Sequence, residues 1–551
     1  MMNAANDKTA QADAQASSSA AAAGTPAMSF WAPFAQPVFL VIWSASLLGN
    51  IATAMRELAA AWLMTSLSLS AVAVGLVKAA SSLPVLLLAL PAGALADLVN
   101  RRTLNLTINT LLAVMAAAIG LAALTSTLTP ALLVAAVFVT GIGSALLQPT
   151  QQSLVPQLVP RDQMEQAVAL NGMGLNLSRA VGPAIAGLVV AALGTAAAFF
   201  ANALGYVVVV AAFVWWRAAG KPAAAVARES FPGAMAAGLR FVRHAPVLQG
   251  VLARLAMFVF VASAYWTLLP VLVRRELGGS PGTYGNLLAG IGIGTVVTAL
   301  SLPWLREKLS QDNAYRLALG STGGVLAALA IVPNIYVAAL IAVVAGAAWL
   351  AGLTVANVSA QAHLPDWMRG RGMAIYLMVF AGAMTAGSLV WGWVADHATL
   401  RQAFGGAAAC AAMGVISFSR SALPDEPPDL TPALHWWPEP QVHEAVSPSR
   451  GPVLVSIEYR VDPAQADEFL RHLRELSGER LRDGAYRWGV FEDVTRQGCY
   501  EETFLLSSWD QQQRLYQRIS RDDARREEMV ARYHAGAEPP LVRHMVAPAT
   551  H

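Results

Sequence analysis

The sequence predicts an all-α membrane protein of twelve transmembrane helices in two repeats of six, followed by a small soluble α+β domain of ferredoxin-like order. Three observations carry this reading. Of 551 residues, 56% are hydrophobic and only 13% are charged, and the mean hydropathy is +0.49. Many apolar runs approach the ~20 residues that cross a bilayer core. A charged stretch from Arg217 to Pro246 divides these runs six and six, and the composition turns soluble in type after Arg420.

Residues 1–30 are rich in Ala, Ser and Thr and lack the apolar core of a signal peptide, so they read as a disordered cytoplasmic tail. Apolar periodicity then places helices at 38–64, 71–97, 103–125, 131–154, 164–193 and 196–217, a first bundle within 31–217. The segment 218–246 is a cytoplasmic linker, and Gly238 to Arg243 within it looks like a short amphipathic piece lying on the surface. The second bundle, 247–422, holds helices at 248–273, 283–304, 314–332, 335–361, 371–395 and 402–420. A Pro- and acid-rich linker occupies 423–452. In 453–547, strands at 453–461, 486–494, 501–508 and 541–546 alternate with helical stretches at 463–482 and 509–534, the order β-α-β-β-α-β.

Charge sets the expected orientation. Arg101, Arg102, Arg161, Arg217, Lys221, Arg228, Arg240, Arg243, Arg306, Lys308, Arg316, Arg369 and Arg371 fall in one set of loops; Arg274, Arg275 and Arg401 fall in the other. Lys and Arg stay inside, so both termini are expected in the cytoplasm and the chain in the plasma (inner) membrane. The formal net charge of +3 adds little, and the two cysteines, Cys410 and Cys499, lie far apart. No disulfide framework, metal site, cofactor or nucleic-acid partner is expected. No Gly-x-x-x-x-Gly-Lys-Ser/Thr loop occurs, which argues against a primary pump.

Charges at membrane depth are costly and usually face a cavity or a partner, so those in the helices are the candidate site residues. Arg56 and Glu57 lie in the first helix and Lys78 in the second. In the fifth, Asn171, Asn176 and Arg179 recur within two turns, ahead of Gly182 and Pro183, which favour close packing and bending. Arg179 with two amides forms an anion- or hydroxyl-binding set in this reading, with simple helix packing as the alternative. Arg254, Tyr265 and Trp266 of the seventh helix could line the same path, with core packing and an interfacial aromatic belt as the alternative. At the turn after the second helix, Gly93, Asp97, Arg101 and Arg102 form a candidate gating loop. Its partner would be the start of the eleventh helix, with Arg369 and Arg371, whose N-terminal dipole attracts a carboxylate.

The pattern Gly93-x-Leu95-Ala96-Asp97, then Arg101-Arg102, resembles the loop signature of the major facilitator superfamily. Four further segments narrow the resemblance: Arg56 through Trp62-Leu63, Leu83-Pro84 through Asp97, Leu170-Asn171 through Gly182-Pro183, and Pro365-Asp366-Trp367-Met368-Arg369-Gly370-Arg371. Over residues 30–425 the chain is similar to the transmembrane secretion effector family, which includes the enterobactin exporter. The resemblance implies the major facilitator fold and a secondary transporter, not an enzyme. It implies export of a siderophore-like or drug-like small molecule by alternating access, with proton antiport as the family default. Ser178 and Ala186 replace glycines of the antiporter helix-5 signature, and the fourth helix (Val137 to Gly141) lacks the arginine of drug/proton antiporters. The C-terminal segment resembles a dimeric ferredoxin-like module of small cofactor-free monooxygenases, which implies self-association. The alternatives are a lysolipid flippase or uptake carrier of the same fold, or a membrane-anchored enzyme active in its C-terminal domain.

Overall fold

In the computed structural model, residues 29–98, 100–152, 154, 158–216, 231–332, 334–422, 428–433, 442 and 446–548 are described. The first helices are α1 (Pro37–Leu67), α2 (Ala71–Leu98), α3 (Arg101–Leu124) and α4 (Pro130–Gln152). A run recorded as Met164–Trp215 is broken at Gly194, where φ is +81°. This left-handed backbone is open to glycine at little steric cost. The break separates α5 (164–193) from α6 (195–215). Trp43 meets Gly174, Leu47 meets Ser178 and Ala54 meets Gly182, so α5 runs parallel to α1. Gly49 meets Val209 and Ala52 meets Gly205, so α6 runs antiparallel to α1, and the chain reverses at Gly194.

A shorter helix, α7 (Phe231–Arg243), leads to α8 (Pro246–Arg275), α9 (Pro281–Lys308), α10 (Gln311–Ala330), α11 (Ile335–Ala362), α12 (Arg369–His397) and α13 (Leu400–Ser419). Side-chain caps start several of them: Asn100 for α3, Ser280 for α9, Ser310 for α10, Asn334 for α11 and Thr399 for α13. Among the described residues, ten helices are long and apolar enough to cross a membrane, with the α5–α6 run counted once. α10, at 20 residues, is not among them and packs between α11 and α13. The two groups of helices meet mainly along α2 with α12 and α5 with α9.

The C-terminal domain is a four-stranded antiparallel sheet of order β2-β3-β1-β4. Its elements are β1 (Val453–Arg460), α14 (Ala466–Asp483), β2 (Arg487–Glu492), β3 (Cys499–Leu506), α15 (Trp509–Arg518), α16 (Arg521–Ala531) and β4 (Leu541–Val546). Val453, Val455 and Ile457 of β1 and Phe504 and Leu506 of β3 pack on Phe469, Leu473 and Leu476 of α14. Two details differ from the sequence reading. The expected helix at 509–534 is two helices, because Ser520 and Asp523 form a capping box that starts α16. The amphipathic piece at 238–243 belongs to the longer α7. Its apolar side, Ala237 and Phe241, is buried against protein rather than laid on a surface. Pieces of the 423–452 linker also dock on the domain, through Arg521 N–H to the Thr431 carbonyl and Trp509 N–H to the Arg450 carbonyl.

Candidate substrate path

The bundle has a near end, which faces the C-terminal domain, and a far end opposite. α5 shows how the two differ. Its α1 side is Gly174, Ser178 and Gly182, and its α9 side is Ala180, Pro183 and Gly187. Between these sides runs one helical stripe at spacings of three and four residues. Val168, Gly172, Leu175 and Arg179 on that stripe are exposed, whereas Ala186 and Val190 further along it are buried. The crevice between the two groups of helices is therefore open at the near end and closed at the far end.

The far-end seal is built of small residues and cross-group hydrogen bonds. A Cβ on Gly187 would lie 2.8 Å from the Gly285 Cα, so α5 and α9 touch backbone to backbone. Ser82 and Thr385 join α2 to α12 by a 2.9 Å hydroxyl contact. Asp396, at the end of α12, accepts hydrogen bonds at the start of α2 from the Ser70 hydroxyl, the Ala71 N–H at 2.6 Å and the Val72 N–H at 3.0 Å. Arg274 of α8 donates to Thr65 at 3.1 Å and Ser66 at 2.6 Å, with its guanidinium over the Trp62 ring. Trp62 in turn stacks on Tyr284 of α9.

Beneath this seal lie several of the charges picked out from the sequence. Glu57 is half-exposed and Arg56, fully buried, approaches it at 3.7 Å with Nε unpaired. Arg179 has accessible surface although protein surrounds it, as suits a side chain in a deep crevice, and Glu57 is the charged group that acts on it electrostatically. Among the described residues no hydrogen bond or ion pair is made by Arg179. Asn171 is exposed and Asn176 half-buried on the same helix, about two turns and one turn nearer the near end, respectively. Gly182 and Pro183 mark close approaches: a Cβ on Gly182 would lie 2.8 Å from that of Ala54, and the Pro183 carbonyl oxygen lies as near to the corresponding position on Gly285. Lys78 lies over the Trp266 ring at 5.4 Å, Trp266 packs edge-on to Trp349, and Trp349 meets Phe258 and Phe380. Tyr265 is wholly buried, and neither its hydroxyl nor the Trp266 indole N–H has a partner among the described residues.

Arg254 is placed differently. It is buried at the near end of α8, bonded to Asp312 at 3.1 Å and to the Ser421 carbonyl, and stacked on Phe418. Arg316 closes on the same carboxylate. Its charge is met within the second group of helices. Of the gating-loop residues, Gly93 and Asp97 belong to α2, and their side chains lie outside the described residues. Arg102 donates from Nε to the Phe213 carbonyl at 2.9 Å and so ties α3 to α6. Arg101 also interacts with another group of the protein. Arg369 pairs with Asp366 at 2.7 Å, and Arg371, which also has an interaction partner, lies beside α7, where Gly238 approaches it.

Sequence reading missed the far-end partners Asp396 and Arg274 and the ring of Trp349. It also missed a buried polar cluster in the C-terminal domain. There Glu502 accepts from Trp488 Nε1 at 2.9 Å, Arg480 Nε at 3.3 Å and the Tyr459 hydroxyl at 3.3 Å, while Arg480 also pairs with Glu527. A signal for it existed. Glu502 sits on the inward side of an alternating strand between Tyr500 and Phe504, and Arg480 continues the stripe Phe469, Leu473, Leu476.

Solved structures share the bundle. A bacterial homologue of the human lysosomal transporter Spinster, in an inward-facing conformation, superposes with a TM-score of 0.56 at 16% identity, covering 71% of this chain and 96% of that one. The nucleoside transporter NupG gives 0.60 at 11% identity, covering 70% and 99%. Among curated proteins, the staphyloferrin A transporter of Staphylococcus aureus is 27% identical over 337 residues, 61% of this chain and 84% of that protein. The multidrug efflux pump Tap of Mycolicibacterium fortuitum is 26% identical over 384 residues, 67% and 91%. The family model described as transmembrane secretion effector matches residues 28–551. The chain belongs to the transmembrane secretion effector family of the major facilitator superfamily, and is a multi-pass membrane transporter rather than an enzyme.

Proposed function

We propose that this protein exports a small molecule from the cytoplasm by alternating access through the crevice between α1–α6 and α8–α13. The observation that carries the proposal is the stripe on α5, exposed down to Arg179 and buried at Ala186 and Val190. Such a crevice receives a solute from one side at a time, and loading from the cytoplasm, the first step of export, is possible in this state if the near end faces the cytoplasm. Lys and Arg gather at that end, which supports a cytoplasmic near end and twelve crossings, with α5, α6 and α10 each crossing once. Two relatives, named as a staphyloferrin A transporter and a multidrug efflux pump, support a siderophore-like or drug-like cargo. Glu57, Arg56, Lys78, Asn171, Asn176 and Arg179 are the residues proposed to meet it or to couple its movement to protons. Gly182 and Pro183 would set the packing of α5, whereas the pairing of Arg254 supports a structural role for it. Asp97 and the start of α12 are proposed as the near-end gate of the outward-open state. The C-terminal domain, 453–547, is proposed to regulate transport or to self-associate.

The test compares metabolites released by cells with and without the protein, alongside reporter fusions after Pro452. One or more small molecules should accumulate outside only when the protein is present, and the fusions should report cytoplasm. Accumulation inside the cells instead would reverse the direction.

A further inference from the structure

Resting on the reading of the crevice as the transport path, we infer that its cargo carries an anionic group that seats on Arg179, with an aromatic or apolar body against the Trp266–Trp349 surface.

The argument begins with charge. Beneath the seal residues Arg274 and Asp396, the described helices bring three cations to the crevice, Arg56, Lys78 and Arg179, against one carboxylate, Glu57. Arg56 is turned into protein and already approaches Glu57, and Lys78 lies against an indole face. Arg179 is the cation that reaches open space, and among the described residues it holds no bonded counter-ion. A guanidinium at membrane depth without a bonded anion is costly, and Glu57 offsets this only across space. A ligand carboxylate, phosphate or catecholate would supply two acceptor atoms to the planar fork, the geometry that guanidinium recognises best.

Depth supports the second half of the inference. At about 1.5 Å per residue, Arg179 and Trp349 each lie ~20 Å below the far ends of their helices, and Glu57 and Trp266 lie ~15 Å below theirs. The cation on α5 and the aromatic cluster on α8 and α11 thus lie at similar levels on opposite groups of helices. A solute with a charged end and a flat apolar body can touch both. That contact differs between the two access states, because closing the near end brings α5 and α11 together, and a differential contact is what shifts such an equilibrium. Glu57 then has a defined part. A cargo anion on Arg179 takes over the role of its distant counter-charge and leaves Glu57 with Arg56 alone.

The test uses purified full-length protein and three probes of one shape: pyrenebutyrate, its methyl ester, and pyrenebutylamine. Binding is read by quenching of tryptophan fluorescence. The acid should bind at least ten-fold more tightly than the ester, and the amine most weakly. Arg179→Gln should remove the preference for the acid while leaving ester affinity within about two-fold. Arg179→Lys should keep part of the preference, having the charge without the fork. Thermal unfolding of each variant identifies loss by misfolding, and Leu188→Ala, on the outward side of the same helix, should keep the preference for the acid. Equal binding of acid and ester, binding of none of the three, or an Arg179→Gln protein that still prefers the acid would each overturn the inference. The assay is blind to direction and coupling. Failure of export in cells with acid preference intact would therefore remove the export reading alone.

Discussion

The carboxylate of Asp396, at the C-terminal end of α12, caps the first turn of α2 by accepting the backbone N–H of Ala71 at 2.6 Å. Val72 N–H and the Ser70 hydroxyl join it, and 324 residues or more separate the partners in sequence. A helix N-terminus carries unpaired N–H groups and partial positive charge, so an anion there is strongly held. Here the anion and the helix belong to opposite groups, and the contact exists only while the far end is shut. Arg275 at the end of α8 adds positive charge to the site, and His397 is turned onto Trp393 instead.

Asp396→Asn should therefore favour the state open at the far end. A contact of about 1–3 kcal/mol shifts such an equilibrium by roughly 5- to 150-fold. The readout is labelling of Val190→Cys by a membrane-impermeant thiol reagent, since Val190 on the α5 stripe is buried while the far end is shut. Labelling should rise several-fold in the Asp396→Asn background. An unchanged rate would reduce Asp396 to a helix cap with no part in gating.

Two glycine contacts of similar closeness should behave differently. Gly285 meets Gly187 across the far-end seal, with a built Cβ 2.6 Å from the Gly187 Cα. Gly346 of α11 meets the Ile291 backbone of α9 even more closely, but inside one group. Gly285→Ala can be relieved by opening the seal, so it should raise far-end labelling with little loss of protein. Gly346→Ala has no such escape, because α9 and α11 stay together. It should lower the unfolding temperature and the yield, by an amount in the overpacking range of about 1–3 kcal/mol. Equal effects of the two on yield would show that the α5–α9 seam is as fixed as the α9–α11 seam.

The helix boundaries were largely legible because apolar period and length are local properties. Expected helices at 71–97 and 335–361 correspond to Ala71–Leu98 and Ile335–Ala362. The division at residue 194 was also visible, since glycine ended one apolar run just before the next began. What pairs across the bundle was not legible. Asp396 reads as one more polar residue at a helix end, and only the antiparallel packing of α2 on α12 gives it a partner. Arg254 shows the converse: in sequence it looks like Arg179, and the difference is Asp312, 58 residues away.

That difference is itself testable. Arg254 and Asp312 are both buried, so removing Arg254 leaves the Asp312 carboxylate with the part-exposed Arg316 alone. Arg254→Met should destabilise the protein by up to about 3–5 kcal/mol, less whatever Arg316 still compensates, and Arg254→Met with Asp312→Leu should recover much of this. Thermal unfolding in detergent measures it. Full transport by whatever folded fraction remains would fit a structural arginine, whereas loss of transport at normal stability would return Arg254 to the substrate path.

In the C-terminal domain, burial and the neighbouring Asp523 push the Glu479 carboxyl up to about 8, although Arg482 and Arg526 oppose the shift. Its Oε1 accepts from Arg526 at 2.5 Å and its Oε2 has no partner among the described residues. The folded domain thus holds a proton that the unfolded chain releases near pH 4.5. Where the native state binds more protons than the unfolded one, stability falls as pH rises. The domain should lose stability between about pH 4.5 and 8 and level off above. The check is the urea midpoint for hydrogen exchange of β1 and β3 amides, taken at pH 5.5 and 8. Glu479→Gln should flatten the dependence, and an equally steep slope in that variant would assign it to other groups.

The last expectation concerns how the domain is attached. Arg482 lies over the Phe241 ring at 5.6 Å and Arg518 over the Trp367 ring at 4.0 Å, while Phe241 and Trp367 meet edge to face. Phe241 belongs to α7 and Trp367 precedes α12, so both aromatic partners lie on the second group of helices. The cations are fixed from behind: Arg482 by Asp483 and Asp523 at 2.8 Å, Arg518 by the Asp483 carbonyl at 3.1 Å. Each cation–π contact contributes about 0.5–2 kcal/mol. The domain should therefore travel with α8–α13 through the cycle. Phe241→Leu with Trp367→Leu keeps apolar bulk and removes the ring faces. Hydrogen exchange should then rise several-fold in α7 and α14 and stay unchanged in α1–α6. Transport should remain measurable in that variant and after deletion of residues 440–551, with altered rate. If exchange in α14 does not move, the two cations hold nothing and the domain is attached by other contacts; if transport stops while the bundle still inserts, the domain is part of the transport machinery.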